Sequence, residues 1–480
     1  MKYYLAVDIG ASSGRHILSS IVDGKIVLEE IYRFDNKQIR KNNHDCWDID
    51  YLFDCIINGL KECKKIGKIP HSIGIDTWAV DFVLVDKQGN KVSDSVAYRD
   101  ERTKDIKNQL EQSLPFEEHY SKIGIQYQPF NTVYQLLALQ NEAPEQLKKA
   151  HKMLMIPDYF NFLLTGKMIQ EYTNATSTAL INAQTNTWDF ELIERLGLNK
   201  SIFADIKMAG YELGDLSEAV QKNVGFNCKV VLPATHDTGS AFLAVPATTD
   251  TAVYISSGTW SLLGVELDKP ITTKESMQNN FTNEGGYNYK YRYLKNIMGL
   301  WMIQSIRREL NGVNYIDNKE QREKSTTQYS FARLCDMAQQ CTDFQSVVDV
   351  DNEAFLSPPS MIDAVKKQCE ITNQKVPSSI GELMQCVYFS LAKKYASAIE
   401  NLSKLTGKTY TCIHIVGGGC KDDYLSQLCA KETGLKVYAG PVEATALGNC
   451  MVQFLADKRY ENIKQIRAEI LNSFEVKEIN

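Results

Sequence analysis

The chain contains a weak internal repeat of one short pattern. Residues 5–15 read LAVDIGASSGR and residues 250–260 read DTAVYISSGTW: an apolar strand, a turn of glycine and serine, then a second strand. The copies lie roughly 245 residues apart, far too long a period for a solenoid, so the pattern predicts two related domains. A length of 480 residues suits that reading, since roughly 100 to 200 residues per domain allow two to four units. The proline-led polar segment PATTD, 246–250, marks the expected boundary and predicts domains at 1–245 and 246–480.

Around each copy the local pattern alternates between strand and helix. Strands are expected at 4–9, 16–22 and 25–31, with a turn at Asp23-Gly24, and then a helix at 49–66 with Leu52, Cys55, Ile56 and Leu60 on one stripe. An apolar strand at 72–76 follows. In the second half a helix at 380–405 precedes a buried strand at 412–416, which runs into Gly417-Gly418-Gly419 and a helix from Tyr424. The tail, 462–476, reads as a surface helix that ends the fold. Strands separated by helices point to an α/β fold with buried mixed sheets.

Composition narrows the partners. Hydrophobic residues make up 44% and charged residues 23%, which excludes disorder, and the net charge of −6 offers no basic excess for a nucleic-acid backbone. Asp8 and Gly10 interrupt the start before a signal sequence can form, and no run approaches the roughly 18 apolar residues of a membrane helix. The twelve cysteines include no C-x-x-C pair and read as reduced thiols, so a cytoplasmic protein without nucleic-acid, membrane or obligate protein partners is expected.

Four turns can carry chemistry. In Asp8-x-Gly10-Ala11-Ser12-Ser13-Gly14-Arg15 small residues let backbone N–H groups converge on an anion, the serines add donors and Arg15 adds charge; an ordinary hairpin is the alternative. An acid at the head of such a loop, here Asp8, suits a hydrated Mg²⁺. Ser256-Ser257-Gly258-Thr259 is either a second cradle or another hairpin turn. Thr235-His236-Asp237-Thr238-Gly239 follows an apolar segment and precedes a helix, so Asp237 is either a base at a strand-to-helix turn or a helix cap. Gly417-Gly418-Gly419 is open to a flat ring or simply tight. Gly407-Lys408-Thr409 resembles the end of a P-loop, but Leu402 stands where that motif needs its first glycine.

Read together, these residues resemble the FGGY carbohydrate kinases, and most closely the branch that acts on L-rhamnulose. The resemblance runs through CWDID (46–50), SIGIDTWAVDFVLVD (72–86), AYRDERT (97–103), EYTNATST (171–178), THDTGS (235–240), YISSGTWSL (254–262), TNEGG (282–286), LKNIMGLW (294–301), HIVGGGC (414–420) and AGPVEATALGN (439–449). It implies two RNase-H-like domains of the actin-like ATPase type, with ATP and sugar bound in a cleft. By the same carry-over Ala11, Ser12, Ser13, Gly14 and Arg15 line the phosphates with Asp8 at Mg²⁺. Thr259, Gln304 and Gly418 meet ATP, His236, Asp237, Thr238 and Asn296 meet the sugar, and Asp237 is the base. One position departs: Ala79 stands where the group has a glycine that touches the sugar. The implied reaction is ATP-dependent phosphorylation of the C1 hydroxyl of L-rhamnulose. A kinase for L-fuculose or D-xylulose, or a sugar-sensing or chaperone-type ATPase, is the alternative.

Overall fold

A computed structural model describes residues 1–312 and 328–479. The chain divides into two compact units: Met1–Thr248 with Glu266–Leu294 and Glu443–Phe474, and Thr249–Val265 with Lys295–Val442 and Glu475–Asn480.

The first unit is built on a six-stranded sheet in the order Glu212–Asp215, Lys229–Val231, Pro70–Thr77, Tyr3–Ile9, Ser13–Val22, Lys25–Asp35. Tyr3–Ile9 pairs antiparallel with Ser13–Val22 and parallel with Pro70–Thr77. Leu5, Val7, Ile9, Ile73 and Ile75 point to one face and are fully buried with Leu52, Ile56 and Leu60 of the helix Ile49–Lys65. The period of two then turns Ser72, Gly74, Asp76, Ala6 and Asp8 to the opposite face. That face carries the helix Ala444–Ala456, whose Gln453 donates from Nε2 to the Leu5 carbonyl (3.0 Å) and whose Gly448 lies against the backbone of Ser240, where no side chain fits.

Two extents differ from the sequence expectation. The third strand runs to Asp35 instead of stopping at residue 31, because a register shift after His16 lets the ladder continue to Ser13 opposite Asp35. The tail helix, Ile463–Ser473, buries Ile466 and Ile470, and it does not end the fold. Lys477–Ile479 follows as a strand antiparallel to Lys436–Ala439, a partner that no local pattern in three residues announces.

The second sheet has seven strands, six of which repeat the order of the first, with Thr282–Gly285 added beside Tyr291–Met298. Tyr291–Met298, Trp260–Leu267, Ala252–Ser257, Cys412–Val416 and Lys436–Ala439 lie side by side, with Lys477–Ile479 as the antiparallel edge. The 27-residue helix Ile380–Thr406 starts at Ser379, which accepts from the Glu382 N–H (3.1 Å), and stops at Gly407 in the left-handed region. Among the described residues no helix is long and apolar enough to cross a membrane.

Candidate active site

Strand register sets the first feature. Asp8 lies directly opposite Arg15 on one side and beside Asp76 on the other, which puts two carboxylates next to each other at the ends of adjacent parallel strands. Arg15 donates from Nε and Nη2 to Asp8 Oδ2 (3.2 and 3.0 Å), and its Nη1 pairs with Glu443 (2.5 Å) at the start of the helix Ala444–Ala456. Asp76 is 0% exposed. Its Oδ2 accepts from Asn449 Nδ2 (2.6 Å), Gln453 Nε2 donates to Asn449 Oδ1 (2.8 Å), and Ser72 Oγ donates to Gln453 Oε1 (2.6 Å). Gly74 makes room for Asn449, whose Oδ1 occupies the space a side chain would take. Among the described residues Asp76 Oδ1 has no hydrogen-bond partner. Burial, then the charges of Asp8 and Asp237, hold the Asp76 carboxyl well above the usual carboxylate range despite the amide from Asn449. Asp76 was absent from the sequence-derived candidates; its signal was an acid inside an otherwise apolar strand.

The turn 10–14 is closed by the Gly10 N–H donating to the Ser13 carbonyl (2.9 Å), and Asn36 braces it by donating from its N–H to the Ser12 carbonyl (3.0 Å) and from Nδ2 to the Gly10 carbonyl (2.9 Å). Ala11 and Ser12 are exposed at its tip, while Gly14 lies under the Phe34 ring.

The second feature is the turn at Asp237. The Thr77 N–H donates to the Thr235 carbonyl (2.9 Å), so this turn adjoins the end of the strand that carries Asp76. Buried Glu171 anchors it by accepting from the N–H and hydroxyl of Thr235 (3.1 and 2.9 Å) and of Thr173 (2.9 and 2.5 Å), and from the Asn174 N–H (3.2 Å). Asp237 opens the helix Asp237–Leu243; His236 holds the cap position and makes no side-chain cap bond, so capping does not account for the acid. Thr238 donates to Asp237 Oδ1 from its N–H (2.6 Å) and hydroxyl (3.1 Å), which leaves Oδ2 as the oxygen these groups do not engage. Although 31% of the side chain is accessible, burial and the neighbouring charge of Asp8 push its pKa up to about 7. His236 Nε2 lies 3.5 Å from Asp237 Oδ1, and its Nδ1 lies 3.0 Å from Nη2 of buried Arg292. Burial and the charge of Arg292 hold the imidazole well below its usual pKa.

Beside these, the turn 78–81 holds Val80 at φ +70°, a left-handed backbone that a β-branched residue enters only when its surroundings impose it. Val80 donates from its N–H to Ser177 Oγ (3.1 Å), and its carbonyl accepts from Thr132 Oγ1 (2.6 Å) and Gln135 Nε2 (3.2 Å). Buried Asp81 accepts from the indoles of Trp47 and Trp78 (2.6 and 3.0 Å), the Tyr98 N–H (3.1 Å) and Gln135 (2.9 Å). Burial outweighs these donors and raises its pKa to about 6. Ala79, half-buried, sits within this constrained turn.

Of the remaining candidates, Thr259, Gln304, Gly418 and Asn296 belong to the second unit. The carbonyls of Gly258 and Thr259 accept from the N–H groups of Leu300 and Trp301 (3.1 Å each), which open the helix Trp301–Leu310 bearing Gln304. Gly417, at φ +84°, leaves only a tight 3.0 Å between a Cβ and the Ser257 carbonyl, and Gly419 packs on Ser257 with no room for a Cβ, whereas a Cβ at Gly418 would meet open space. Asn296 lies on the strand Tyr291–Met298. The structure thus groups Asp8, Ala11–Arg15, His236, Asp237 and Thr238 in one unit, and a small-residue surface with Thr259, Gln304 and Gly418 in the other. No group of three or more His, Cys, Asp or Glu among the described residues is arranged to hold a metal ion by itself.

Residues 3–244 match the N-terminal domain model of the FGGY family of carbohydrate kinases and residues 253–456 its C-terminal domain model. The chain is 49% identical over 477 residues to the rhamnulokinase of Halalkalibacterium halodurans, covering 99% of this chain and 98% of that protein. It is 47% identical to the rhamnulokinase of Oceanobacillus iheyensis (98% and 97% covered) and 42% identical to that of Bacillus subtilis (99% and 94%). Among solved structures, a ligand-bound xylulose kinase from Lactobacillus acidophilus superposes with a TM-score of 0.79 at 19% identity over 99% of this chain and 93% of that one. A Plasmodium falciparum glycerol kinase with ADP gives 0.79 at 16%, covering 99% and 94%.

Proposed function

Since the chain belongs to the FGGY family of carbohydrate kinases, we propose that it transfers the γ-phosphoryl group of ATP to the C1 hydroxyl of L-rhamnulose, giving L-rhamnulose 1-phosphate and ADP. Near-full-length relatives named rhamnulokinase support the substrate. The observation that carries the mechanism is Asp237, a carboxyl with one oxygen tied by Thr238, the other available, and a pKa pushed up to about 7. A base near neutrality takes a hydroxyl proton without being too weakly basic to do so.

The Asp237 carboxylate accepts the proton of the C1 hydroxyl through Oδ2 as the oxygen attacks phosphorus in line. His236 and Thr238 flank that oxygen and Asn296 contacts the sugar. Backbone N–H groups of the turn 10–14 and the hydroxyls of Ser12 and Ser13 donate to phosphate oxygens, and Arg15 adds positive charge. Thr259, Gln304 and Gly418 receive the nucleotide. The residues present fit a hydrated Mg²⁺: Asp8 would hold it, with the partnerless buried Asp76 Oδ1 beside it, and one or two carboxylates with phosphate oxygens are the ion's ordinary donors. Bound there, it would neutralise charge on the phosphoryl oxygens. The protein would act in the cytoplasm on small molecules, without nucleic acid, membrane or obligate protein partner.

ADP release with Mg-ATP and a panel of ketoses tests this reading. A response to L-rhamnulose well above that to L-fuculose and D-xylulose is expected. An equal or reversed preference overturns the substrate, and sugar-independent hydrolysis overturns the kinase reading.

A further inference from the structure

Arg292 is among the largest fully buried side chains of the described residues, at 1% exposure. A buried guanidinium is costly unless it is paired and hydrogen-bonded, so its partners reveal what holds it there. Its Nε donates to the Gly285 carbonyl (2.9 Å), Nη1 faces Glu284 Oε2 (3.1 Å), and Nη2 meets His236 Nδ1 (3.0 Å). Glu284 and Arg292 stand opposite each other in the hairpin of Thr282–Gly285 with Tyr291–Met298, so strand register fixes the pair.

A guanidinium can only donate, so the imidazole nitrogen it meets must accept and carries no hydrogen. Glu284 Oε2 also lies 3.4 Å from Nδ1 and by itself would favour a hydrogen there. The Arg292 contact at 3.0 Å has hydrogen-bond geometry, whereas Glu284 Oε2 meets Nη1 at 3.1 Å as an ion pair without a hydrogen bond and lies farther from the ring, so the Arg292 contact decides. The hydrogen of the neutral ring then sits on Nε2. That atom is 3.5 Å from Asp237 Oδ1, too far for a strong bond to an oxygen already occupied by Thr238.

We propose that Arg292, backed by Glu284, is a positioning residue that fixes the tautomer of His236, with Nδ1 accepting from the guanidinium and Nε2–H presented beside the base to an oxygen of the bound sugar. The sugar rests on the kinase reading above; the tautomer does not. Burial and the positive charge of Arg292 keep the ring neutral, which agrees. Protonating it would set Nδ1–H against the guanidinium.

Ring-nitrogen NMR of the full chain labelled with ¹⁵N-histidine, with His236→Gln identifying the His236 signals, tests the tautomer directly. An unprotonated Nδ1 and a protonated Nε2 at neutral pH are expected. The reverse tautomer, an even mixture or an imidazolium overturns the proposal, whichever ketose the enzyme phosphorylates. Arg292→Met should lower kcat/KM for the sugar by about 10-fold, less than the loss of a base, and leave the KM for ATP unchanged. Arg292→Lys, which still only donates, should recover part of the loss. A folded Arg292→Met with unchanged sugar kinetics would sink the idea; if that variant fails to fold, the NMR result on the native protein decides.

Discussion

The two sheets share a strand order but differ at their reactive ends. In the first, the central parallel strands bring Asp8 beside Asp76; in the second, the equivalent register brings Ser256 beside Val416, followed by Gly417. Burial and then the charge of Asp8 raise the proton affinity of Asp76, and one scaffold bears that cost where the other has no acid. The second sheet carries glycines instead, Gly419 lying on Ser257 with no space for a Cβ and Gly417 close against the Ser257 carbonyl. The same architecture thus yields a cluster of carboxylates in one unit and a small-residue surface in the other, the two regions to which the proposed function gives phosphoryl transfer and nucleotide binding.

Removing the acid from the first sheet's site should have the largest effect. Asp237→Asn is expected to lower kcat by roughly 10² to 10⁴ while the KM for ATP stays near its native value. Because the folded pKa of Asp237 is raised, its ionised form costs stability as pH climbs from about 4 through about 7. The variant should therefore melt no lower than the native protein above neutral pH, a point calorimetry checks. In the native enzyme kcat/KM should rise with pH along a limb near 7 that vanishes in Asp237→Asn.

Next comes the carboxylate pair. Asp76→Asn should weaken divalent-ion binding by about 10- to 100-fold, read as Mn²⁺ relaxation or titration calorimetry without sugar. Unchanged ion affinity would leave the acid pair without the role that separates it from Ser256 and Val416. On the other sheet, Gly417→Ala forces a side chain onto a left-handed backbone within 3.0 Å of the Ser257 carbonyl and should cost about 1 to 3 kcal/mol of stability, measured by denaturant unfolding. Smallest is Thr259→Ala: loss of one hydroxyl bond to nucleotide, about 0.5 to 1.5 kcal/mol, should raise the KM for ATP several-fold and spare that for sugar. If Thr259→Ala instead raised the sugar KM, the division of labour between the sheets would fail.

Much of this was legible in the chain. The weak repeat announced two sheets, and the small-residue turns and Thr235–Gly239 segment marked where chemistry could lie, because such signals sit within a few residues. Asp76 had a faint signal, one acid in an apolar strand. Arg292 had none: its partners Glu284 and His236 lie 8 and 56 positions away, and only the hairpin and the packing on the turn at Asp237 join them. Val80 at positive φ was equally hidden, since its strain is imposed by Ser177, Thr132 and Gln135 from distant helices and turns.

Local signals in the sequence carried the α/β class, the repeated strand-turn-strand unit and the positions of the acid-bearing and small-residue turns. Local periodicity and turn chemistry depend on neighbours along the chain. Tertiary structure decided that Asp8 lies beside Asp76, that 266–294 and 443–474 return to the first unit, and that Arg292 reaches His236. Each of these depends on register and burial, and burial is what converts an ordinary acid, base or guanidinium into one with a shifted proton affinity and a fixed direction.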